Sequence, residues 1–88
     1  MAWRVEFSTP ASEELFSLDV AVQRRIAKYL RDRISTEKDP RRFGKPLLGD
    51  KKGLWCYRVG DYRLISLIKE SVKIVTIFRV GHRRNIYD

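Results

Sequence analysis

Arg58 and Arg63 are the residues whose types and spacing point most directly to chemistry. They flank Val59-Gly60-Asp61-Tyr62, where a Gly-Asp dipeptide separates two runs of β-forming residues. That pattern predicts a two-residue hairpin with glycine at the first turn position, a type II′ turn. Val59 then pairs with Tyr62, and Arg58 with Arg63. Directly opposed residues of an antiparallel pair share a face, with Cβ atoms ~5 Å apart. Two guanidiniums held that way repel each other, so an unliganded sheet gains nothing from them. An anion between them relieves the repulsion, and phosphate is the obvious anion. In-line transfer at a phosphate needs positioned cations to meet the charge of the transition state. It also benefits from a proton acceptor near the attacking hydroxyl. The bland readings of Arg63 are a solvated strand residue or a contact to an acidic partner.

The composition agrees with an anionic partner. The chain has 88 residues and a net charge of +8, with 19 Lys and Arg against 11 Asp and Glu. For so small a domain this predicts a polyanion: nucleic acid, or an acidic protein that competes with it. A hydrophobic fraction of 43% argues against disorder. A single cysteine, Cys56, excludes an intrachain disulfide and an all-cysteine metal site, and a single histidine makes a zinc site untenable. No metal and no cofactor are expected. No apolar run approaches ~18 residues, so no membrane span is expected. The N-terminus lacks a stretch of signal-peptide character, which predicts a cytoplasmic location.

The elements that must position the arginines follow from periodicity. Trp3, Val5 and Phe7 alternate with Arg4 and Glu6, a half-buried strand. Thr9 and Pro10 start a short helix with Ala11, Leu15 and Leu18 on its inner stripe. Asp19 caps a second helix in which Val22, Ile26, Leu30 and Ile34 recur every four residues, beside Tyr29. Arg24, Arg25, Lys28, Arg31 and Asp32 fill its outer face, and Asp39-Pro40 ends it. Residues 39–54 read as a basic loop containing Lys45, Lys51 and Lys52. Three strands follow at about 55–59, 62–68 and 72–80.

The fold class is α+β, a single domain over 1–88 ordered β-α-α-β-β-β. A helical hairpin packs on one face of a mainly antiparallel sheet, and a short C-terminal tail follows. A three-residue turn at Lys69-Glu70-Ser71 places Tyr62 opposite Phe78. Trp55, Tyr57, Val59, Tyr62, Leu64, Ile68, Ile74 and Phe78 then face the helices. Arg58, Arg63 and Lys73 face the other way with Cys56, Ile65, Leu67, Val75 and Ile77, joined by Arg4 and Glu6 of the first strand. A two-residue turn would shift the register of the last strand and exchange its faces. Trp3, Trp55 and Phe78 read as core, and Cys56 as a small strand residue.

Tyr62-Arg63-Leu64, the Val80-Gly81-His82-Arg83 segment after the last strand, and the terminal Tyr87 resemble the RelE branch of the RelE/ParE toxin superfamily. Leu47-Leu48-Gly49 resembles the Leu-x-Gly turn of that family, and the likeness covers nearly the whole chain. It implies a toxin of a bacterial toxin–antitoxin pair that enters the ribosomal A site and cuts bound mRNA. The RNA's own 2′-hydroxyl would attack the adjacent phosphodiester and leave a 2′,3′-cyclic phosphate, without a metal.

By this resemblance Arg63 binds the scissile phosphate, Arg83 stabilises the developing charge or helps the leaving oxygen, and Tyr87 stacks on or orients a base. Arg58 falls where the family carries a basic residue on the preceding strand. The family's second strand lysine is replaced by Val59, and the tail is short. His82, Lys51 and Lys52 are therefore the candidates for general base. Tyr87 could instead plug the chain end, and Arg84 reads as a general RNA contact, with Lys45, Lys51 and Lys52. Implied partners are a RelB-like antitoxin, the ribosome with mRNA, and operator DNA only through the antitoxin complex. The alternative is a ParE-like toxin that inhibits DNA gyrase by binding and has no nuclease activity. A plain nucleic-acid binding module is the third reading.

Overall fold

The computed structural model describes residues 2–47 and 53–86. Five strands form one sheet in the order β1-β5-β4-β3-β2. They are β1 (Arg4–Phe7), β2 (Lys45–Pro46), β3 (Leu54–Val59), β4 (Tyr62–Lys69) and β5 (Ile74–His82). Helices α1 (Thr9–Phe16) and α2 (Val20–Tyr29) lie between β1 and β2 and cover one face. β1 runs parallel to β5, and the remaining pairings are antiparallel. The α+β class and the helical hairpin on a mostly antiparallel sheet are those the sequence predicts.

Local chemistry sets the element ends, with some shifts from the sequence reading. The cap of α1 is Ser8 rather than Thr9: its Oγ accepts from the Ala11 N–H at 3.2 Å, and Pro10 occupies the first turn. Asp19 precedes α2 but makes no side-chain cap bond. The end of α2 widens into a π turn over Leu30–Ile34, which keeps Leu30 and Ile34 in the core. Asp39 does not end that helix. It caps a separate 3-10 turn, Pro40–Arg42, by accepting from the Arg41 N–H at 2.9 Å. The predicted basic loop contains the short strand β2, which pairs Lys45 with Cys56 and Pro46 with Trp55.

The core between sheet and helices contains Trp3, Ala11, Ile26, Leu30, Ile34, Tyr57, Val59, Leu64, Val75, Ile77 and Val80. Trp55, Tyr62 and Ile68 pack against it, as their alternation predicts. The last strand departs from the expectation. Its turn spans four residues, Glu70–Lys73, and Ile65 pairs with Arg79 while Ser66 pairs with Ile77. Phe78 is thus an extra residue in β5, a β-bulge. Val75 and Ile77 face the helices, whereas Ile74 and Phe78 do not join the core. The even turn inverts the predicted faces of that segment, and the bulge lets Val80 face inward beyond it. Lys73, predicted on the open face, sits in the turn at φ 57 with its ammonium 5.0 Å from the Trp3 ring.

Candidate active site

The hairpin that carries the arginine pair forms as its turn chemistry demands. Val59 pairs with Tyr62 and Arg58 with Arg63. Gly60 has φ 60 and Asp61 is not in the left-handed region, the signature of a type II′ turn. Arg58 and Arg63 therefore share the face opposite the helices. They line a cleft of about 330 Å³ with Lys45, Pro46, Leu47 and Cys56. Among the described residues no carboxylate lines this cleft. Lys45 reaches it because β2 pairs with β3 at Cys56.

Arg63 is 8% exposed, far less open than a solvated strand residue. Its Nη1 donates to the Gly60 and Tyr62 carbonyl oxygens, both at 3.2 Å. One side of the guanidinium is thereby fixed to the turn. The carbonyl partners leave its charge uncancelled. Arg58 is exposed and makes no ion pair among the described residues.

The tail returns to the same end of the sheet. The Arg83 N–H donates to the Asp61 carbonyl at 2.8 Å, and Arg83 Nε lies 4.0 Å from Asp61 Oδ1. Arg83 thus stands against the turn that Arg63 braces. Opposite Arg63 on β5 is Gly81, and Ile86 folds down over it. A Cβ at Gly81 would meet Ile86 Cδ1 at 3.0 Å. Ile86 is buried with Cys56 and Ile65, a second small cluster beside the arginines. Sequence reasoning did not single out Ile86; the glycine opposite Arg63 was the available signal.

The structure does not bring every candidate together. His82 pairs with Tyr62, one residue from Arg63, so the pleat turns it to the helix side. Its ring lies edge-on to Tyr62 at 5.6 Å, and its Nδ1 accepts from the Arg84 N–H at 3.2 Å. Arg84 is exposed in the tail turn. Tyr87, Lys51 and Lys52 lie outside the described residues, as does most of the Leu47-Leu48-Gly49 turn. Among the described residues no cluster of His, Cys, Asp or Glu could hold a metal. No helix among them is long and apolar enough to cross a membrane.

Arg25 is a further cation that the sequence assigned only to the outer face of α2. A Cβ at Gly60 would stand 2.8 Å from Arg25 Nη1, so the guanidinium lies against the hairpin turn. Burial raises the Tyr29 phenol pKa above its ordinary value, partly offset by the adjacent Arg33 charge.

Comparison with known proteins places this arrangement. Residues 5–87 match the family described as ParE toxin of type II toxin–antitoxin system, parDE. The chain is similar to Toxin RelG of Mycobacterium tuberculosis, with 34% identity over 87 residues covering 99% of this chain and 98% of that protein. It resembles the crystal structure of the toxin–antitoxin complex RelBE2 from Mycobacterium tuberculosis with a TM-score of 0.84 and 32% identity, covering 97% of this chain and 95% of that one. The archaeal RelE–RelB complex from Pyrococcus horikoshii OT3 is similar at a TM-score of 0.71 and 30% identity, over 97% and 99% of the two chains. The family match and a near full-length relative agree with the α+β fold: this chain belongs to the RelE/ParE superfamily and is a type II toxin of the RelE and RelG kind.

Proposed function

We propose that this toxin is a ribosome-dependent endoribonuclease that cuts mRNA in the ribosomal A site and so halts translation. The observation that carries the reading is the cleft lined by Lys45, Arg58 and Arg63 with no carboxylate among the described residues, and with Arg83 against the same turn. Three converging cations with no counter-ion among the described residues suit a phosphodiester. In the proposed step the 2′-oxygen attacks the adjacent phosphorus while the bond to the 5′-oxygen breaks. The products are a 2′,3′-cyclic phosphate and a free 5′-hydroxyl. Arg63, fixed by two carbonyls, presents its remaining N–H groups to the non-bridging oxygens and meets their added charge without reorganising. Arg58 neutralises the same phosphate from the opposing strand, and Arg83 stabilises the leaving 5′-oxygen, which takes a proton from solvent water as it becomes the hydroxyl. The proton of the 2′-hydroxyl goes to Lys51 or Lys52, because His82 faces the other side of the sheet and is better suited to holding the tail turn. Tyr87 orients a base, and the ribosome supplies the alignment of the strand. Lys45 and Arg84 contact neighbouring phosphates.

The natural inhibitor in this reading is a RelB-like antitoxin that covers the cationic face and carries operator DNA binding for the complex. Similar toxins are known in complexes with RelB-type partners. The site of action is the cytoplasm, where ribosomes translate. The test is an in vitro translation reaction read by primer extension, with wild type beside Arg63→Ala. Codon-spaced mRNA ends that depend on Arg63 support the proposal. Intact mRNA together with inhibited gyrase supercoiling would replace it with the binding mode of ParE.

A further inference from the structure

The cations of the hairpin do not stop at the cleft. On the helix side of the sheet, a groove of about 300 Å³ runs between α2 and the turn, lined by Arg25, Lys28, Tyr29, Asp32, Arg33 and Arg58 among others. Arg58 lines both this groove and the cleft that holds Arg63. The free edge of β3 makes that possible, since β2 pairs only as far as Cys56. Gly60 is flanked from both sides, by Arg25 against its α-carbon and by Arg63 Nη1 on its carbonyl.

The charge in the groove is not internally balanced. The one carboxylate that lines it among the described residues, Asp32, is occupied by Lys28 at 2.6 Å and by Arg31 at 3.4 Å. Arg25, Arg33 and Arg58 make no ion pair among the described residues. Arg33 is held in place by aromatic faces, with its guanidinium carbon 5.3 Å from the Tyr29 ring and 5.4 Å from the Phe43 ring. Stacking fixes the plane of a guanidinium while leaving its edge N–H groups for an anion.

We propose that this groove is a second phosphate-binding segment for the same RNA strand, which passes from the Arg63 cleft over the β3 edge at Arg58 and lays a flanking phosphodiester between Arg25 and Arg33. This rests on the proposed RNA-cutting reading. One continuous polyanion fits because Arg58 is shared by both sites, and a single strand repeats its charge at every nucleotide. Turning around a sheet edge requires the flexibility of a single strand, which a duplex lacks.

The test is fluorescence anisotropy with fully 2′-O-methylated RNA, whose missing hydroxyl separates binding from cleavage. The probes are a decanucleotide and a trinucleotide, titrated across a range of salt. Each single-strand phosphate contact contributes about 0.7 to the slope of log affinity against log salt. Arg25→Gln/Arg33→Gln should lower the decanucleotide slope by about 0.7, the one phosphate contact that the pair shares, and Arg25→Gln alone by a part of that, with the trinucleotide unchanged. Arg25→Gln removes no stacked side chain and serves where the double variant misfolds. A charge-matched Arg24→Gln/Lys38→Gln control, exposed and outside the groove, should leave both slopes alone. An unaltered decanucleotide slope in the groove variants overturns the proposal. So does an equal loss in the control, which would mean diffuse attraction. Retained RNA slopes with lost affinity for a poly-glutamate peptide overturn it in favour of a protein partner. Binding of this kind with no cleavage by wild type on the ribosome would reject the nuclease reading and leave the groove assigned.

Discussion

Replacing Arg63 by alanine separates a catalytic cation from a structural one, because the two roles differ in magnitude. The side chain is almost buried and braces the hairpin turn through two hydrogen bonds from Nη1. Each bond contributes about 0.5–1.5 kcal/mol net, so the variant loses roughly 1–3 kcal/mol of stability. A chain of 88 residues holds roughly 4–13 kcal/mol in total. In the worst case about 1 kcal/mol remains and roughly 85% of the protein stays folded, a loss of activity below twofold. Removing one preorganised donor to a developing oxyanion costs about 2.7–4 kcal/mol, on the order of 10²–10³ in rate. The catalytic effect therefore exceeds the folding effect by about two orders of magnitude. The assay is the rate of appearance of mRNA ends in a translation reaction, normalised to folded protein from circular dichroism. Arg63→Lys keeps the charge and loses the planar fork, so it should fall between the two. A folded Arg63→Ala protein cutting within threefold of wild type would refute the assignment.

Arg58→Thr removes one of two opposed like charges worth about 0.2–1 kcal/mol, and should raise Tm by roughly 1–8 °C while weakening cleavage; an unchanged or lower Tm in a thermal melt counts against the repulsion. Tyr57 is fully buried and its hydroxyl donates to the Pro40 carbonyl at 2.9 Å; Tyr57→Phe should cost about 1–3 kcal/mol in urea unfolding by stranding that oxygen, and no cost would mean that the carbonyl finds another donor. The Arg41 N–H bond, with the Arg41 charge behind it, holds the Asp39 carboxyl below its ordinary range. Its stabilisation is complete above the unfolded value near ~4 and disappears as pH falls through the lower folded value, so Asp39→Asn should flatten the acid limb of a Tm–pH curve. An identical acid limb in the variant would show that the bond does not persist in solution.

Much of the positioning framework is legible in the residues because its signals are local. Gly60-Asp61 specifies its own turn, and the turn fixes the Arg58–Arg63 pairing without help from the rest of the fold. The stripe of Ile26, Leu30 and Ile34 likewise identifies the buried side of α2. β5 offered no such guide. Ile74, Val75, Thr76, Ile77 and Phe78 are nearly all apolar, so no alternation marks the bulge at Phe78. The side of the sheet taken by His82 depends on that register and on the length of the preceding turn. Arg25 sits at the margin of the helix stripe, where periodicity leaves its direction open; the missing side chain at Gly60 draws it to the turn.

The strand order has a consequence for when this protein can exist in active form. Among the described residues β5 follows every other strand, yet it lies between β1 and β4 and is the sole strand partner of β1. The Ser8 hydroxyl, which caps α1, also donates to the Phe78 carbonyl across 70 positions of sequence. At about 5–20 residues per second, β1 waits roughly 4–14 s during synthesis for the strand that completes it. Until then the sheet lacks the strand that joins β1 to β4, and Arg63 has neither Gly81 nor Arg83 beside it. Assembly through such distant contacts is slow compared with a locally paired meander. A nascent chain of this sequence therefore carries its arginines before it carries a site.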